Sequence, residues 1–450
     1  MKIIQVVHSF LPVTFAGTEV YCYALSKELS KKHEVSIFCR VNDSCQKEYE
    51  LRLSVYNSLP VYTVNNTFNW CKDFEGTYYN AEIDRAFSRL LDELKPDIIH
   101  IQHLLFLSLG IVREAKKRGI PVVFTVNDYW LFCPKGQLLT NKLQVCSGDN
   151  QELCVPCIKP QLCIRKHSMF FYHLLRRHAL HWLLGVAKRI YFCIFEYFMA
   201  GKQKFPDLIA RRSAAVEKAI SQIDLFIAPS IFAKNLFIKK GVAAEKIITC
   251  RYGIANPLLL AERKGDERII RFGYAGTLLP MKGVDLLIKA FCEIPAPNAR
   301  LLIYGKAKMY AGYESFYEEL KRGTKGDPRI SFMGEFNNGD IGDVLSNIDV
   351  LVVPSIWLEN TPLVILEALA AKVPVIASRI GGIPELIKDR ENGLLFTPQD
   401  NADLEKKLND ILITPGMLGK LRAQIKAVKS IEENTVEVEN IYNGLRGTCK

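Results

Sequence analysis

Two glutamates, Glu359 and Glu367, stand on either side of a predicted helix start that could bind an anion. An apolar strand precedes this loop, and Thr361, followed by a proline, is predicted to cap the helix. The backbone amides of Leu363 and Val364 would then lack intrahelical partners, which suits a phosphate. Two carboxylates would repel phosphates unless they face hydroxyl groups on either side of them. A nucleoside diphosphate sugar, with its ribose, diphosphate and hexose, has that arrangement.

The spacing Glu359-x7-Glu367 resembles the donor-site motif of the retaining GT-B glycosyltransferases of family 4. The resemblance includes Pro354-Ser355 before the glutamates and the run PVIASRIGGIPELI, residues 374–387, after them. It implies that Glu359 contacts hydroxyls of the transferred hexose and that Glu367 binds the donor ribose. Sequence motifs support the resemblance over residues 1–135 and 220–400. Over the remaining residues, only their position in the chain supports it.

The order of the predicted elements indicates an α/β protein. A strand over Ile3–Val7, a helix over Thr18–Ser30 and a strand over Glu34–Cys39 predict a parallel pair. The same alternation begins again at Ile269–Tyr274. The resemblance implies the GT-B fold, in which two Rossmann-like, doubly wound parallel-sheet domains face each other across a cleft.

The predicted boundaries divide the chain into three parts. Residues 1–255 form an N-terminal acceptor-binding domain, and residues 256–430 form a C-terminal nucleotide-sugar-binding domain. Residues 431–450 form a helix that packs back on the first domain. The first domain also contains a cysteine-rich loop, residues 133–163, and a basic, aromatic helical insertion, residues 165–212.

The resemblance carries further donor-side residues onto this chain. Gly17 matches the first glycine loop, although Ala16 stands where the family has another glycine. Lys282 matches a lysine that binds the diphosphate, and its charge would stabilise the leaving group. Thr277 stands where the family has an arginine, so one cationic contact is expected to be missing. The complete predicted donor site consists of Gly17, Thr277, Lys282, Gly305, Asn360, Thr361, Leu363, Val364 and Glu367.

Polar residues follow two predicted strands of the first domain, at the sheet edge where α/β folds bind ligands. His103 follows the strand Asp97–Ile101, and Asp128 follows the strand Val122–Val126. The resemblance places His103 near the transferred hexose, whereas Asp128 either orients His103 or touches the acceptor. The predicted catalytic residues are therefore Glu359, His103, Lys282 and Asp128.

Five cysteines lie between positions 133 and 163, and only two of them form a C-x-x-C pair. Two interpretations remain open. The first is a set of reduced thiols packed beneath an acceptor loop. The second is a structural zinc site at Cys133, Cys146, Cys154 and Cys157. No catalytic metal and no cofactor is predicted.

The formal net charge of +11 favours anionic partners. Aromatic and basic residues alternate through the helical insertion, where Arg176 and Arg177 exclude a membrane span. The insertion is predicted either to lie against an anionic membrane or to pack on the N-terminal sheet. No nucleic-acid partner is predicted. An odd number of cysteines and an N-terminus without a secretion signal favour a cytoplasmic protein, peripheral on the inner face of the membrane.

Together these features predict a retaining, metal-independent hexosyltransferase. It would move a hexose from a nucleoside diphosphate sugar to a glycan or polyprenyl-linked acceptor in cell-surface polysaccharide biosynthesis. Two alternatives remain: a nucleotide-sugar epimerase on the same fold, and a membrane-docked scaffold subunit with weak catalysis. A dinucleotide-dependent dehydrogenase is disfavoured, since no G-x-G-x-x-G follows Val7.

Overall fold

The computed structural model describes residues 1–68, 73–148, 154, 156–157, 205–255, 269–308 and 313–447. Their strands form two sheets, one in each of two α/β domains. Most of the predicted insertion, residues 165–204, lies outside the described residues, as does the predicted linker from residue 256 to residue 268. None of the helices in the described ranges is long and apolar enough to cross a bilayer.

The first domain contains the following elements in the described ranges. The strands are β1 Lys2–Val7, β2 Glu34–Val41, β3 Leu51–Tyr56, β4 Leu59–Asn65, β5 Ile98–Ile101, β6 Val122–Thr125, β7 Leu225–Ala228 and β8 Ile247–Thr249. The helices are α1 Gly17–Leu29, α2 Ala81–Leu94, α3 Gly110–Lys116, α4 Phe205–Gln222 and α5 Ile231–Lys239.

The second domain repeats the alternation of strands and helices. Its strands are β9 Ile270–Ala275, β10 Ala299–Tyr304, β11 Ile330–Gly334, β12 Val350–Val353, β13 Val375–Ser378 and β14 Gly393–Phe396. Its helices are α6 Val284–Cys292, α7 Phe316–Gly323, α8 Ile341–Ser346, α9 Leu363–Ala370, α10 Ile383–Leu386, α11 Asn401–Ile413 and α12 Met417–Ala423. A last helix, α13 Ile431–Gly447, follows them.

Both sheets reverse their strand order beside a central strand. The first has the order β3-β4-β2-β1-β5-β6-β7-β8, and the second has the order β11-β10-β9-β12-β13-β14. In doubly wound sheets, two neighbouring strands stand where the strand order reverses. The connections that follow these two strands run to opposite faces of the sheet, which leaves a crevice at their carboxyl ends. The crevices of this chain therefore lie after β1 and β5, and after β9 and β12.

The predicted α/β fold with two parallel-sheet domains is confirmed. The first sheet also contains an antiparallel pair, β3 with β4, which the sequence analysis missed. Asn57 and Ser58 form the turn between these strands, and both have positive φ, as a type I′ hairpin turn requires. Strand β3 is the largely exposed edge of its sheet, so it lacks the apolar run that marks a buried strand.

Helix α12 ends at Ala423, and residues 425–429 have no regular secondary structure. The backbone of Ile254, at the end of the first domain, pairs with this segment. Its amide donates to the Lys429 carbonyl at 3.1 Å, and its carbonyl accepts from the Ile431 amide at 2.9 Å. These bonds to the other domain replace the helical bonds that residues 424–430 would otherwise make.

The last helix, α13, crosses back to the first domain and packs against α1. Tyr442 is fully buried there, with its hydroxyl 2.6 Å from His100 Nδ1 and 3.3 Å from Gln5 Nε2. Tyr21 donates to Asn434 Oδ1 at 2.9 Å. Burial lowers the pKa of His100 to about 3, so the ring is neutral and depends on hydrogen bonds for its stability. The end of the chain thus completes the core of the first domain.

We predict that Tyr442→Ala destabilises the protein by about 3–5 kcal/mol, because it removes a buried ring and leaves His100 without one partner. Tyr442→Phe keeps the ring and should cost only about 1–2 kcal/mol. Val436→Ala, at an exposed position of α13, is the matched control and should cost less than about 0.5 kcal/mol. Urea denaturation measures all three, and equal effects of the two alanine variants would contradict the prediction.

Candidate active site

The crevices of the two domains open into one cleft with a volume of about 680 Å³. Residues that follow all four switch-point strands line it. His8 follows β1 and His103 follows β5, while Gly276 follows β9 and Glu359 lies in the loop after β12. The topology therefore brings together polar groups that are far apart in the sequence.

Glu359 is 5% exposed and lies in the wall of this cleft. Its Oε1 atom accepts hydrogen bonds from Lys282 Nζ, Ser355 Oγ and Trp357 Nε1, each at 2.7 Å. The Lys282 ammonium also lies 5.0 Å from the centroid of the Trp357 ring. One charge-assisted bond and two neutral bonds fix the orientation of the carboxylate. Ser355 and Trp357 were not predicted as site residues, although both lie within the motif.

Two glycines allow the backbone to approach the Glu359 loop closely. Gly381 has φ +59°, and a Cβ there would lie 2.1 Å from the carbonyl oxygen of Glu359. Gly283 has φ +68°, and a Cβ there would lie 2.1 Å from the carbonyl oxygen of Pro354. Both positions combine a left-handed backbone with a close contact, so they require glycine.

Asn360 and Thr361 attach the same loop to the first domain. Asn360 Oδ1 accepts a hydrogen bond from the Tyr129 hydroxyl, and its Nδ2 donates to the Val126 carbonyl at 2.9 Å. Thr361 Oγ1 donates to the Pro229 carbonyl at 3.1 Å. Both residues line the cleft, but their side chains are bound to the other domain. These bonds orient both side chains towards the first domain and leave the backbone of the loop facing the cleft.

Helix α9 begins at Leu363, one residue later than predicted. Pro362 occupies the cap position with extended backbone, and Thr361 does not cap the helix because its hydroxyl binds Pro229. The amides of Leu363 and Val364 lie in the first turn, where a helix has no carbonyl to accept them. Gly17 approaches this turn, since a Cβ on it would lie 3.8 Å from Leu363 Cδ1. The glycine loop of the first domain therefore faces the helix start of the second.

Glu367 lies one turn further along α9 and lines the cleft. Burial raises the pKa of this carboxyl to about 7. Its charge therefore changes near neutral pH, and a ligand that donates hydrogen bonds would favour the ionised form.

The loops after β9 and β10 form another wall of the cleft. Thr277 and Gly305 lie there, and the Thr277 carbonyl accepts a hydrogen bond from Tyr274 at 2.8 Å. Lys306 and Lys308 follow Gly305 and also line the cleft. Lys306 pairs with Glu335 at 2.8 Å. The sequence analysis did not identify these two lysines.

On the opposite side of the cleft, His103 pairs with Asp128. His103 Nδ1 accepts from the Leu105 amide at 2.8 Å, so the proton resides on Nε2, which lies 2.6 Å from Asp128 Oδ2. Asp128 Oδ1 in turn accepts from the Trp130 amide at 2.9 Å. Asp128 therefore orients the His103 ring, and a hexose could bind Nε2 only by displacing Asp128.

The sequence analysis missed two residues beside this pair, His8 and Glu19. The His8 ring centroid lies 4.4 Å from that of His103, and His8 Nε2 lies 3.1 Å from Glu19 Oε1. Burial lowers the pKa of His8 and raises the pKa of Glu19. The rule that identified His103 at a strand end applies equally to His8. Glu19 ends the glycine loop that contains Gly17, but it was not predicted as a site residue.

The zinc interpretation of the cysteine-rich loop stays a prediction. Within the described ranges, no three His, Cys, Asp or Glu side chains are arranged to hold a metal ion. The four proposed ligands, Cys133, Cys146, Cys154 and Cys157, are each partly exposed. Burial raises the pKa of Cys154 to about 11, and the neighbouring thiols of the other three cysteines also raise it.

The described end of the basic insertion packs inside the first domain. Arg212 is 4% exposed, and its guanidinium donates to the carbonyls of Trp130 and Leu131. It also lies 5.0 Å from the Trp130 ring centroid. At Arg212, the insertion therefore packs on the first domain, which is the second of its two predicted positions.

Two family models match the sequence, and together they cover about two thirds of it. The model described as Glycosyltransferase Family 4 matches residues 15–146. The model described as Glycosyl transferases group 1 matches residues 261–429. The two matches correspond to the two domains, and each includes one wall of the cleft.

Individual proteins resemble this chain over different lengths. An uncharacterized glycosyltransferase of Methanocaldococcus jannaschii is 29% identical over 231 residues, which cover 50% of this chain and 61% of that relative. An uncharacterized 42.6 kDa protein in the cps region of Klebsiella pneumoniae is 23% identical over 424 residues, covering 90% and 92%. Among solved structures, Anabaena HepE in complex with UDP and glucose aligns with a TM-score of 0.66 at 17% identity, covering 98% and 99%.

We predict that Glu367→Gln changes the pH dependence of stability. Its raised pKa means that the folded protein binds this proton more tightly than the unfolded chain does. The resulting stability is fully present below the unfolded pKa near 4.5 and is lost as the pH rises through about 7. Between pH 5 and pH 8, the unfolding free energy of the wild type should therefore fall by about 1–3 kcal/mol more than that of Glu367→Gln.

Urea denaturation at a series of pH values measures this difference. Glu391→Gln, at an exposed position, is the control and should follow the wild type. Parallel curves for Glu367→Gln and the wild type would show that Glu367 titrates as an ordinary glutamate.

Proposed function

Because the chain belongs to glycosyltransferase family 4 and has the GT-B fold, we propose that it is a retaining hexosyltransferase that uses a nucleoside diphosphate sugar. The observation that carries the proposal is the Glu359–Lys282 ion pair, beside a helix start and eight positions before the partly buried Glu367. Anion-binding groups and carboxylates alternate along this wall, as the ribose, diphosphate and hexose of such a donor require.

In the proposed complex, the ribose hydroxyls donate to Glu367 and the diphosphate binds the amides of Leu363 and Val364. Lys282 binds the diphosphate as well, and Glu359 accepts hydrogen bonds from the hexose. Because Lys282 already contacts Glu359 at 2.7 Å, its ammonium would lie between the carboxylate and the diphosphate. The solved complex of HepE with UDP and glucose supports a donor of this class.

The proposed transfer retains the anomeric configuration. The acceptor oxygen bonds to the anomeric carbon on the face from which the diphosphate leaves, and the hydroxyl proton passes to an oxygen of that diphosphate. Lys282 and the α9 amides stabilise the charge that develops on the leaving group. These groups supply the positive charge that the reaction needs, so we propose that transfer requires no divalent metal. Closure of the cleft would exclude water, which competes with the acceptor.

For the acceptor, we propose a glycan or polyprenyl-linked glycan of cell-surface polysaccharide assembly. A net charge of +11 favours an anionic acceptor or surface, and a relative of nearly full length lies in the cps region of Klebsiella pneumoniae. We place the protein in the cytoplasm, in peripheral contact with the membrane. The part of the insertion that suggested this contact, residues 165–204, lies outside the described residues.

Neither alternative function has an observation of its own in its favour. Both matching family models describe glycosyltransferases, which disfavours an epimerase. A scaffold subunit would not need to retain the Glu359, Lys282 and Glu367 constellation in one cleft.

Saturation-transfer NMR with uridine, guanosine and adenosine diphosphate sugars tests the donor proposal. One donor should bind the wild type and fail to bind Glu367→Ala, while Glu391→Ala, exposed on the same domain, should bind it normally. Failure of all three donor classes to bind the wild type would overturn the proposal.

We predict that Glu359→Gln lowers kcat by about 100-fold or more while changing the donor Kd by less than about threefold. The amide removes the charge that faces the hexose but leaves Lys282 available for the diphosphate. Steady-state kinetics and donor titration measure the two quantities separately. Equal losses in kcat and in affinity would contradict a transition-state role for Glu359.

A further inference from the structure

We propose that Glu19 and His8 form the acceptor subsite, and that this subsite binds a carbohydrate through two adjacent hydroxyl groups. The inference rests on the proposed transferase function and names the substrate group that its acceptor side recognises. Neither residue takes part in the donor site described above.

Glu19 is fully buried, and neither of its carboxylate oxygens has a hydrogen-bond partner among the residues that the structure describes. Oε1 lies 3.1 Å from His8 Nε2 without completing a hydrogen bond, and His8 Nδ1 is also buried and unpaired within the described ranges. A buried polar atom without a partner lowers stability, and a carboxylate lowers it more. Three such atoms side by side in a cleft wall indicate a site that a polar ligand completes.

The environment of Glu19 does not replace the missing partners. Burial raises the pKa of its carboxyl, and the nearby amides of Glu19 and Ala16, with His103 and Lys308, offset only part of that effect. These backbone contacts are weak, since neither carboxylate oxygen has a hydrogen bond of good geometry within the described ranges. The protein therefore leaves both oxygens available as acceptors.

The position of Glu19 fits an acceptor next to the transferred hexose. It lies in the first turn of α1, two residues after Gly17, which faces Leu363 at the start of α9. Its partner His8 stacks near His103 across 4.4 Å. A molecule bound to Glu19 would thus lie between the diphosphate-binding turn and the His103–Asp128 pair.

The charges around the subsite select the class of ligand. Besides burial, charges nearby that include those of Arg40 and Lys308 lower the pKa of His8, so the region disfavours a positively charged ligand. A neutral polyol avoids this repulsion. Two carboxylate oxygens can accept from two neighbouring hydroxyls, whereas a simple lipid alcohol offers only one. A sugar ring with a vicinal diol is therefore the ligand that satisfies both oxygens.

Saturation-transfer NMR with the methyl glycosides of glucose, galactose and mannose tests the subsite, both with and without UDP, GDP and ADP. At least one glycoside should bind the wild type, and Glu19→Gln should reduce its signal at least tenfold while nucleotide signals stay unchanged. Glu28→Gln, on the same helix but bonded to Lys31 outside the cleft, is the matched control and should bind like the wild type.

Thermal unfolding separates this role from a structural one. Because the amide has a smaller desolvation cost than the carboxylate, Glu19→Gln should unfold at the same temperature as the wild type or a higher one. A lower unfolding temperature, with glycoside and nucleotide signals lost together, would show a structural role and overturn the proposal. Equal glycoside binding in wild type and Glu19→Gln would also overturn it, as would no glycoside binding to the wild type.

The donor and acceptor inferences fail in different ways. Loss of all nucleotide signals in the wild type would count against the proposed function. The glycoside comparison without nucleotide would still decide the role of Glu19.

Discussion

The hydrogen bonds to one oxygen of Glu359 are the constraint on which the rest of the cleft depends. Lys282 reaches this oxygen from the loop after β9, and Ser355 and Trp357 reach it from the loop after β12. The next residue, Asn360, binds the first domain through Tyr129 and Val126. A shift in the domain interface would therefore move the carboxylate. Donor chemistry and domain arrangement are linked through a few consecutive residues.

The two sides of the cleft satisfy their polar groups in different ways. On the donor side, the protein itself supplies partners for Glu359, and glycines at 283 and 381 hold its loop in place. On the proposed acceptor side, the carboxylate oxygens of Glu19 and the Nδ1 atom of His8 are buried without such partners in the described part of the chain. Groups of this kind lower stability, and they persist where function requires them.

The relative placement of Glu359 and Glu367 could be predicted from the sequence because both lie on one continuous loop and helix after β12. Spacing along 14 residues, from Pro354 to Glu367, then determines spacing in space. The prediction failed at Thr361, where a tertiary hydrogen bond to Pro229 replaced the local helix cap. Sequence propensities describe only how neighbouring residues favour one local structure over another. They do not predict a hydrogen bond to a carbonyl that is distant in the sequence.

The acceptor side was harder to predict because β1, α1, β5 and β6 contribute to it separately. His103 and Asp128 could be identified from strand ends, whereas Glu19 lies within a helix rather than at a strand end and was not predicted as a site residue. The edge hairpin of β3 and β4 was missed for a related reason, since an exposed strand has no apolar pattern. Elements with a buried apolar pattern and residues within one continuous motif could therefore be predicted from the sequence. Features that depend on contacts between distant residues could not.

The return of α13 to the first domain also affects the order in which the chain can fold during synthesis. Domains generally fold from the N-terminus as the ribosome extends the chain. Here the buried partner of His100 and Gln5 is Tyr442, which is separated from them by 342 and 437 positions. The core of the first domain therefore cannot be complete until almost the entire polypeptide has been synthesised. Until then, the α1 surface that α13 covers stays available to chaperones.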